Sequence, residues 1–134
     1  MSDKRKVINV ENSENTLYFV TGNNNKFNEV FQEFQEANLN YDLKQLNIKT
    51  IEIQADSIKE VALFKLNSVK EKIKNSFFIE DAGFFVDVPL KGFPGVYSSY
   101  IHKIIGNEGI LTLIGNFKSQ KRILPLLLPY ILNR

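Results

Sequence analysis

A short apolar run that ends at a glycine and continues into a helical pattern constrains the fold of this chain most strongly. Leu17-Tyr18-Phe19-Val20 is followed by Thr21-Gly22, which predicts a buried strand and a turn. After the turn, apolar side chains recur at helical spacing, with acidic and amide side chains opposite them: Phe27, Val30, Phe31, Phe34 and Ala37. The segment therefore predicts an amphipathic helix packed on a sheet.

Strand and helix patterns continue to alternate along the chain. They predict strands within 41–53 that end in Ile51-Glu52-Ile53, a helix with apolar positions from 58 to 73, strands at 77–79 and 84–88, a loop at 89–95, and short helices at 97–105 and 108–114. Ser57 with Glu60 three residues later is typical of a capping box at a helix start. The order predicts an α/β fold with a mixed, twisted sheet flanked by helices.

Length and patterning together predict three stretches. Residues 1–15 are a polar N-terminal tail, residues 16–117 form one domain, and residues 118–134 are an atypical apolar tail. The tail holds about ten apolar residues with two prolines, against the roughly twenty that a membrane-spanning helix needs. We expect no membrane segment and no signal peptide.

Charge and cysteine content limit the partners and the compartment. Seventeen basic and fifteen acidic residues give a formal net charge of +2 without a basic stripe, which disfavours nucleic acid as the partner. The absence of cysteine excludes disulfides and Cys-based zinc sites and is compatible with the cytoplasm.

The turn Thr21-Gly22-Asn23-Asn24-Asn25-Lys26 has the composition of a phosphate cradle. A strand that turns into a helix presents backbone N–H groups and the positive end of the helix dipole, where anions bind. Thr21 and the Asn side chains add neutral donors, and Lys26 adds a charge. The alternative is an ordinary helix cap with a solvated lysine.

Carboxylates follow two apolar runs and are candidates for a metal site. Glu80 and Asp81 are adjacent, and on a strand they point to opposite faces, so one of them is the better metal ligand. Glu52 is a candidate for a second oxygen ligand, since Mg²⁺ takes one or two carboxylates with waters and substrate phosphates. The alternative for Asp81-Ala82-Gly83 is a turn in which the aspartate caps its own backbone.

Three further polar residues have less specific interpretations. Lys65 interrupts the apolar stripe of the second helix, either because its ammonium extends to the sheet edge or because it faces a cleft. His102 has no second metal ligand nearby and is expected at the surface or a helix end. Ser98 has no nearby base and is expected to form hydrogen bonds rather than act as a nucleophile.

Four ordered stretches resemble the inosine/xanthosine triphosphate pyrophosphatases, which act on non-canonical purine nucleoside triphosphates. They are residues 21–29, 52–54, 80–86 and 92–98, and the similarity spans roughly residues 16 to 116. The resemblance implies Mg²⁺-dependent hydrolysis of ITP, dITP and XTP to the monophosphate and pyrophosphate by a homodimer. It also implies the fold of that family, incomplete here at the C-terminus.

The resemblance assigns roles residue by residue. Residues Thr21 to Lys26 would bind the triphosphate, Glu52 and Asp81 would hold the metal, and Asp81 would also accept the proton of the attacking water. Lys65 matches a basic position in the cleft. Ala82 replaces the Ser or Thr that usually follows the metal-binding Asp, so one hydroxyl donor is lost, at a cost of roughly 0.5 to 1.5 kcal/mol in substrate binding.

The end of the chain departs from the family. The Gly-Asp-Pro loop and the Ser-His-Arg motif that grip the base are absent, and residues 118–134 do not resemble the family's strand at that place. We therefore expect a truncated or altered C-terminus. The alternative function is a catalytically inactive family member that binds nucleotide weakly, and a third option is a pyrophosphatase for modified pyrimidine nucleotides. An uncovered sheet edge predicts a marginally stable or oligomeric protein.

Overall fold

The structure, a computed structural model, describes residue 8, residues 13–118 and residues 121–130. Its elements in chain order are β1 (Thr16–Val20), α1 (Asn24–Glu36), β2 (Asp42–Leu46), α2 (Ile58–Lys70), β3 (Phe77–Val86), β4 (Phe93–Gly95), α3 (Ser98–Ile114) and β5 (Lys121–Tyr130). Most of the predicted 1–15 tail, together with residues 131–134 of the predicted apolar tail, lies outside the described residues. The division at 15 and 117 stays a prediction.

Contacts between Cα atoms divide the chain into two compact units. The first, here the β1 unit, comprises the described residues of 1–52, 63–80 and 127–134. The second, the β4 unit, comprises 53–62 and 81–126. Strand β3 contributes its first half to the β1 unit and its second half to the β4 unit.

In the β1 unit, β1 lies between β2 and β3 and runs parallel to both. The consecutive residues Tyr18, Phe19 and Val20 are all buried, as expected for a parallel strand covered on both faces. Phe19 stacks on Phe78 of β3, with ring centroids 4.5 Å apart. The α1 side chains that pack against this cluster are Phe27, Val30 and Phe34. The predicted strand and amphipathic helix are confirmed.

In the β4 unit, the second half of β3 pairs antiparallel with β4, with Phe84 opposite Gly95 and Val86 opposite Phe93. The sheet is therefore mixed, and the predicted α/β class is confirmed. The predicted capping box forms in part: Glu60 N donates to Ser57 Oγ (3.2 Å), and Glu60 Oε2 accepts from the amide of Asp56 (3.2 Å), one residue before the cap. No helix among the described residues has both the length and the apolarity to cross a bilayer.

Two predicted breaks are absent because β3 is one continuous strand and part of the 89–95 loop is β4. A Cβ on Gly83 would lie 2.9 Å from the carbonyl oxygen of Gly95, so this glycine permits close backbone approach rather than a turn. The prediction of separate strands at 77–79 and 84–88 is wrong for this reason. Residues 51–53 are also not a strand: β2 ends at Leu46, and residues 51–53 pair with no other described segment.

The apolar segment after residue 120 is a strand, β5, that pairs with β3, so this part of the predicted apolar tail has regular structure. Pro125 and Pro129 are four residues apart, so their missing N–H groups fall on the same side of the strand. Proline is tolerated where that side has no partner. Counting described residues, β3 is the one pairing partner of β5.

The helical segment 98–114 is interrupted at Gly106, as predicted from Gly106-Asn107. Gly106 has φ 62° and ψ −171°, which is not helical and is accessible essentially to glycine alone.

Gly106→Ala should lower the free energy of unfolding by about 1–3 kcal/mol, because a Cβ disfavours this backbone conformation. Urea unfolding measures the loss. Lys103→Ala, at an exposed position of the same helix, should change stability by less than about 0.5 kcal/mol. Equal stability of the Gly106 variant and the parent would contradict the assignment of strain.

An ion pair in the β4 unit joins the end of β3 to the start of β5. Arg122 donates two hydrogen bonds of 2.9 Å to the carboxylate of Asp87 and stacks over Phe85, with 5.1 Å from Cζ to the ring centroid. These hydrogen bonds hold the pKa of Asp87 below its ordinary value. Since the folded pKa is lower than the unfolded one, the pair stabilises the fold at neutral pH and loses this effect below about pH 4.

Asp87→Asn should lower the urea midpoint at pH 7 and lower it by less at pH 3, because protonation of the parent's aspartate progressively removes the ion pair as the pH falls toward its lowered pKa. Glu14→Gln, which removes an exposed carboxylate elsewhere, should not show this pattern. The same loss at both pH values would mean that the charge of Asp87 does not contribute.

Candidate functional site

The candidate phosphate turn lies at the carboxyl edge of the parallel strands of the β1 unit. Val20, the last residue of β1, is in register with Leu46 of β2 and with Ile79 of β3. The next residues along β1 and β3, Thr21 and Glu80, therefore lie side by side at the same edge. Ligands of open α/β sheets bind outside the carboxyl ends of the strands.

Asn23 caps the first helix with its side chain. Its Oδ1 accepts hydrogen bonds from the backbone N–H groups of Asn25 (3.0 Å) and Lys26 (3.2 Å), and its own N–H donates to Thr21 Oγ1 (3.1 Å). Three of the predicted free amides are therefore already used within the turn. Among the described residues, no acceptor is recorded for the amides of Gly22 and Asn24, which are exposed.

Gln45 of β2 supports the turn, and the sequence analysis did not identify it. Its Nε2 donates to the carbonyl oxygen of Thr21 (3.2 Å) and to Oδ1 of Asn24 (3.0 Å). No local pattern indicates this role, because the contact depends on the register between β1 and β2. Gly22 is also constrained, since a Cβ there would lie 3.1 Å from Oδ1 of Asn47.

Two lysines converge on Glu80. The ammonium of Lys26 forms a salt bridge with Glu80 Oε2, and Nζ of Lys65 donates to the carbonyl oxygen of Glu80 at 3.3 Å. The Lys26 side chain is 41% exposed and that of Glu80 is 15% exposed, so the pair is partly shielded from water. Lys65 thus directs its charge to the carboxyl edge, which favours the cleft interpretation over simple extension to solvent.

The remaining candidate residues are Glu52, Asp81 and Ala82, which the structure divides between the two units. Glu52 is exposed in a segment without regular secondary structure between β2 and α2. Asp81 and Ala82 lie on β3 in the β4 unit, where Asp81 Oδ1 accepts a hydrogen bond from the Ala82 amide at 2.9 Å. No cluster of three or more His, Cys, Asp or Glu side chains occurs within the described residues. Their roles at a metal stay predictions.

A cavity of about 770 Å³ lies within the β4 unit, and none of the predicted phosphate or metal residues lines it. Its walls include Phe84, Ser98, His102 and Ile110. The Ser98 hydroxyl accepts from the Phe84 amide at 2.7 Å and lies within reach of the carbonyl oxygens of Phe84 and Gly95, which matches its predicted hydrogen-bonding role. The sequence analysis did not identify this cavity.

The Asn23 cap makes a local contribution that can be measured. Asn23→Ala should lower the free energy of unfolding by about 1 kcal/mol, because the amides of Asn25 and Lys26 lose their acceptor. Asn23→Asp keeps an acceptor oxygen and should retain most of the stability. Asn25→Ala is the matched control, because it removes a neighbouring asparagine side chain that is not the acceptor of these hydrogen bonds. Urea unfolding of these variants would contradict the cap if Asn23→Ala were no less stable than Asn25→Ala.

Known proteins provide independent evidence of the family. The sequence profile of the Ham1 family matches residues 17–123. A dITP/XTP pyrophosphatase of Thermococcus kodakarensis is 42% identical over 105 residues, covering 78% of this chain and 55% of the relative. The enzyme of the same name from Pyrococcus horikoshii is 41% identical over 98 residues, covering 73% and 51%. The chain spans about half the length of the curated relatives it matches.

Solved structures agree on the fold. The Ham1 protein of Staphylococcus aureus superposes with a TM-score of 0.60 at 16% identity, covering 85% of this chain and 70% of the other. A nucleoside-triphosphatase / dITP/XTP pyrophosphatase of Mycobacterium abscessus gives 0.58 at 14% identity, covering 85% and 72%. The resemblance inferred from the four sequence stretches is confirmed. The chain belongs to the Ham1 family.

Proposed function

We propose that this protein hydrolyses non-canonical purine nucleoside triphosphates, such as dITP, XTP and ITP, to the monophosphate and pyrophosphate. The proposal is supported by family membership and by the names of the two relatives described above. The structural observation that carries it is the capped turn after β1, with Lys26 and Lys65 directed to the same strand edge. Backbone amides and two cations are suited to binding a polyphosphate.

The proposed roles follow the chemistry of each side chain. Residues Thr21 to Lys26 bind the phosphate chain, and Lys65 adds positive charge. Asp81 accepts a proton as the water oxygen bonds to the α-phosphorus and pyrophosphate leaves. Ala82 contributes its backbone only, so it adds no hydroxyl donor to the phosphates.

We propose Mg²⁺ as the cofactor and Glu52 and Asp81 as its protein ligands. Their carboxylate oxygens suit a hard cation, and Mg²⁺ typically takes one or two carboxylates and completes its shell with waters and phosphates. When bound, Mg²⁺ neutralises phosphate charge.

We further propose a homodimer in the cytoplasm that acts on free nucleotides rather than on nucleic acid. The absence of cysteine and the net charge of +2 without a basic stripe support the compartment and the substrate class. The second candidate remains a catalytically inactive family member that binds nucleotide weakly.

Release of pyrophosphate from dITP or XTP with added Mg²⁺ distinguishes the two candidates. We expect release by the parent protein and at least about a hundredfold less from Asp81→Asn, because a general base contributes that much. Asp42→Asn, at an exposed carboxylate on the opposite end of β2, should retain activity. The inactive candidate would be favoured if the parent protein released pyrophosphate no faster than Asp81→Asn does, and if it bound ITP and ATP with similar, weak affinity.

A further inference from the structure

Glu80 has no role in the assignments made so far, yet the structure places it at the centre of the charged edge. Its carboxylate forms a salt bridge with the ammonium of Lys26, and its carbonyl oxygen accepts a hydrogen bond from Lys65. Both contacts lie within the β1 unit. The lysine predicted to bind phosphate is thus already neutralised by a carboxylate of the same protein.

We propose that Glu80 is an internal counter-ion of the phosphate site, which holds Lys26 until phosphate oxygens replace its carboxylate. The inference rests on the proposed function in that a polyphosphate is the competing ligand. Glu80 is a positioning residue in this view, because it acts on the ligand through Lys26.

The environment of Lys26 explains why a counter-ion is needed. Lys26 lies on the first turn of α1, where the positive end of the helix dipole disfavours a cation. Lys65 adds a second positive charge at the carbonyl oxygen of Glu80. A partly shielded charge without a partner is costly, so Glu80 stabilises Lys26 in the absence of ligand.

The same pairing weakens the site for every polyanion. An incoming phosphate must replace the carboxylate at Lys26, so part of its interaction energy is offset by the lost salt bridge. Without Glu80, Lys26 and Lys65 would attract phosphate unopposed by this charge. The pair therefore limits how tightly any phosphate compound, including a pyrophosphate product, is retained.

Calorimetric titration with inorganic triphosphate, in chelator and at fixed low ionic strength, tests the proposal without hydrolysis. Glu80→Gln should bind triphosphate about fivefold more tightly than the parent, as expected for release of one partly exposed ion pair. Lys26→Ala should bind more weakly. In Lys26→Ala/Glu80→Gln most of the gain should disappear, because Glu80 acts through Lys26.

Two controls separate this effect from general charge and from misfolding. Glu33→Gln removes one carboxylate from the exposed face of α1 and should change the affinity by less than about twofold. In thermal unfolding, Glu80→Gln and Lys26→Ala should each lower the melting temperature, and the double variant should lose less than the sum of the two.

Four outcomes would overturn the counter-ion role. These are Glu80→Gln binding no more tightly than the parent, the full gain persisting without Lys26, the same gain in Glu33→Gln, and additive thermal losses. Absence of triphosphate binding in every protein would overturn both this role and the proposed function. Binding with the expected pattern but without pyrophosphate release would overturn the proposed function alone.

Discussion

The parallel pairing of β1 between β2 and β3 is the constraint on which the candidate site depends. Buried aromatic and aliphatic side chains on both faces of β1 make a one-residue slip costly, since every side chain would change face. The register therefore fixes where each strand ends. With Val20 opposite Ile79, the register places the residues that follow, Thr21 and Glu80, at one edge.

Both lysines at this edge contact one residue, Glu80. Glu80 meets the ammonium of Lys26 through its side chain and that of Lys65 through its backbone. Gln45, from the neighbouring strand, fixes the turn between β1 and α1. The turn is thus held by its own helix cap, by β2 and by β3, so a ligand meets donors that are already oriented.

Local patterns predicted the elements whose causes are local. The β1 strand, the α1 helix, the Ser57–Glu60 capping box and the interruption at Gly106 each follow from residues a few positions apart. Predictions that needed a distant partner failed. Gly83 indicated a turn because its close approach to the carbonyl of Gly95 depends on a distant residue, and the alternation at 51–53 indicated a strand that pairs with no other described segment.

The sequence by itself determined the family and the composition of the candidate phosphate turn, because ordered motifs and short-range capping depend on neighbouring residues. Only the tertiary structure decided that Glu80 neutralises Lys26 across 54 positions of sequence, and that Gln45 supports Thr21. These contacts depend on the register of the buried strands, and that register is set by the combined burial of their apolar side chains. Residue types therefore identified candidate ligands, whereas strand register determined which of the charged ones face each other.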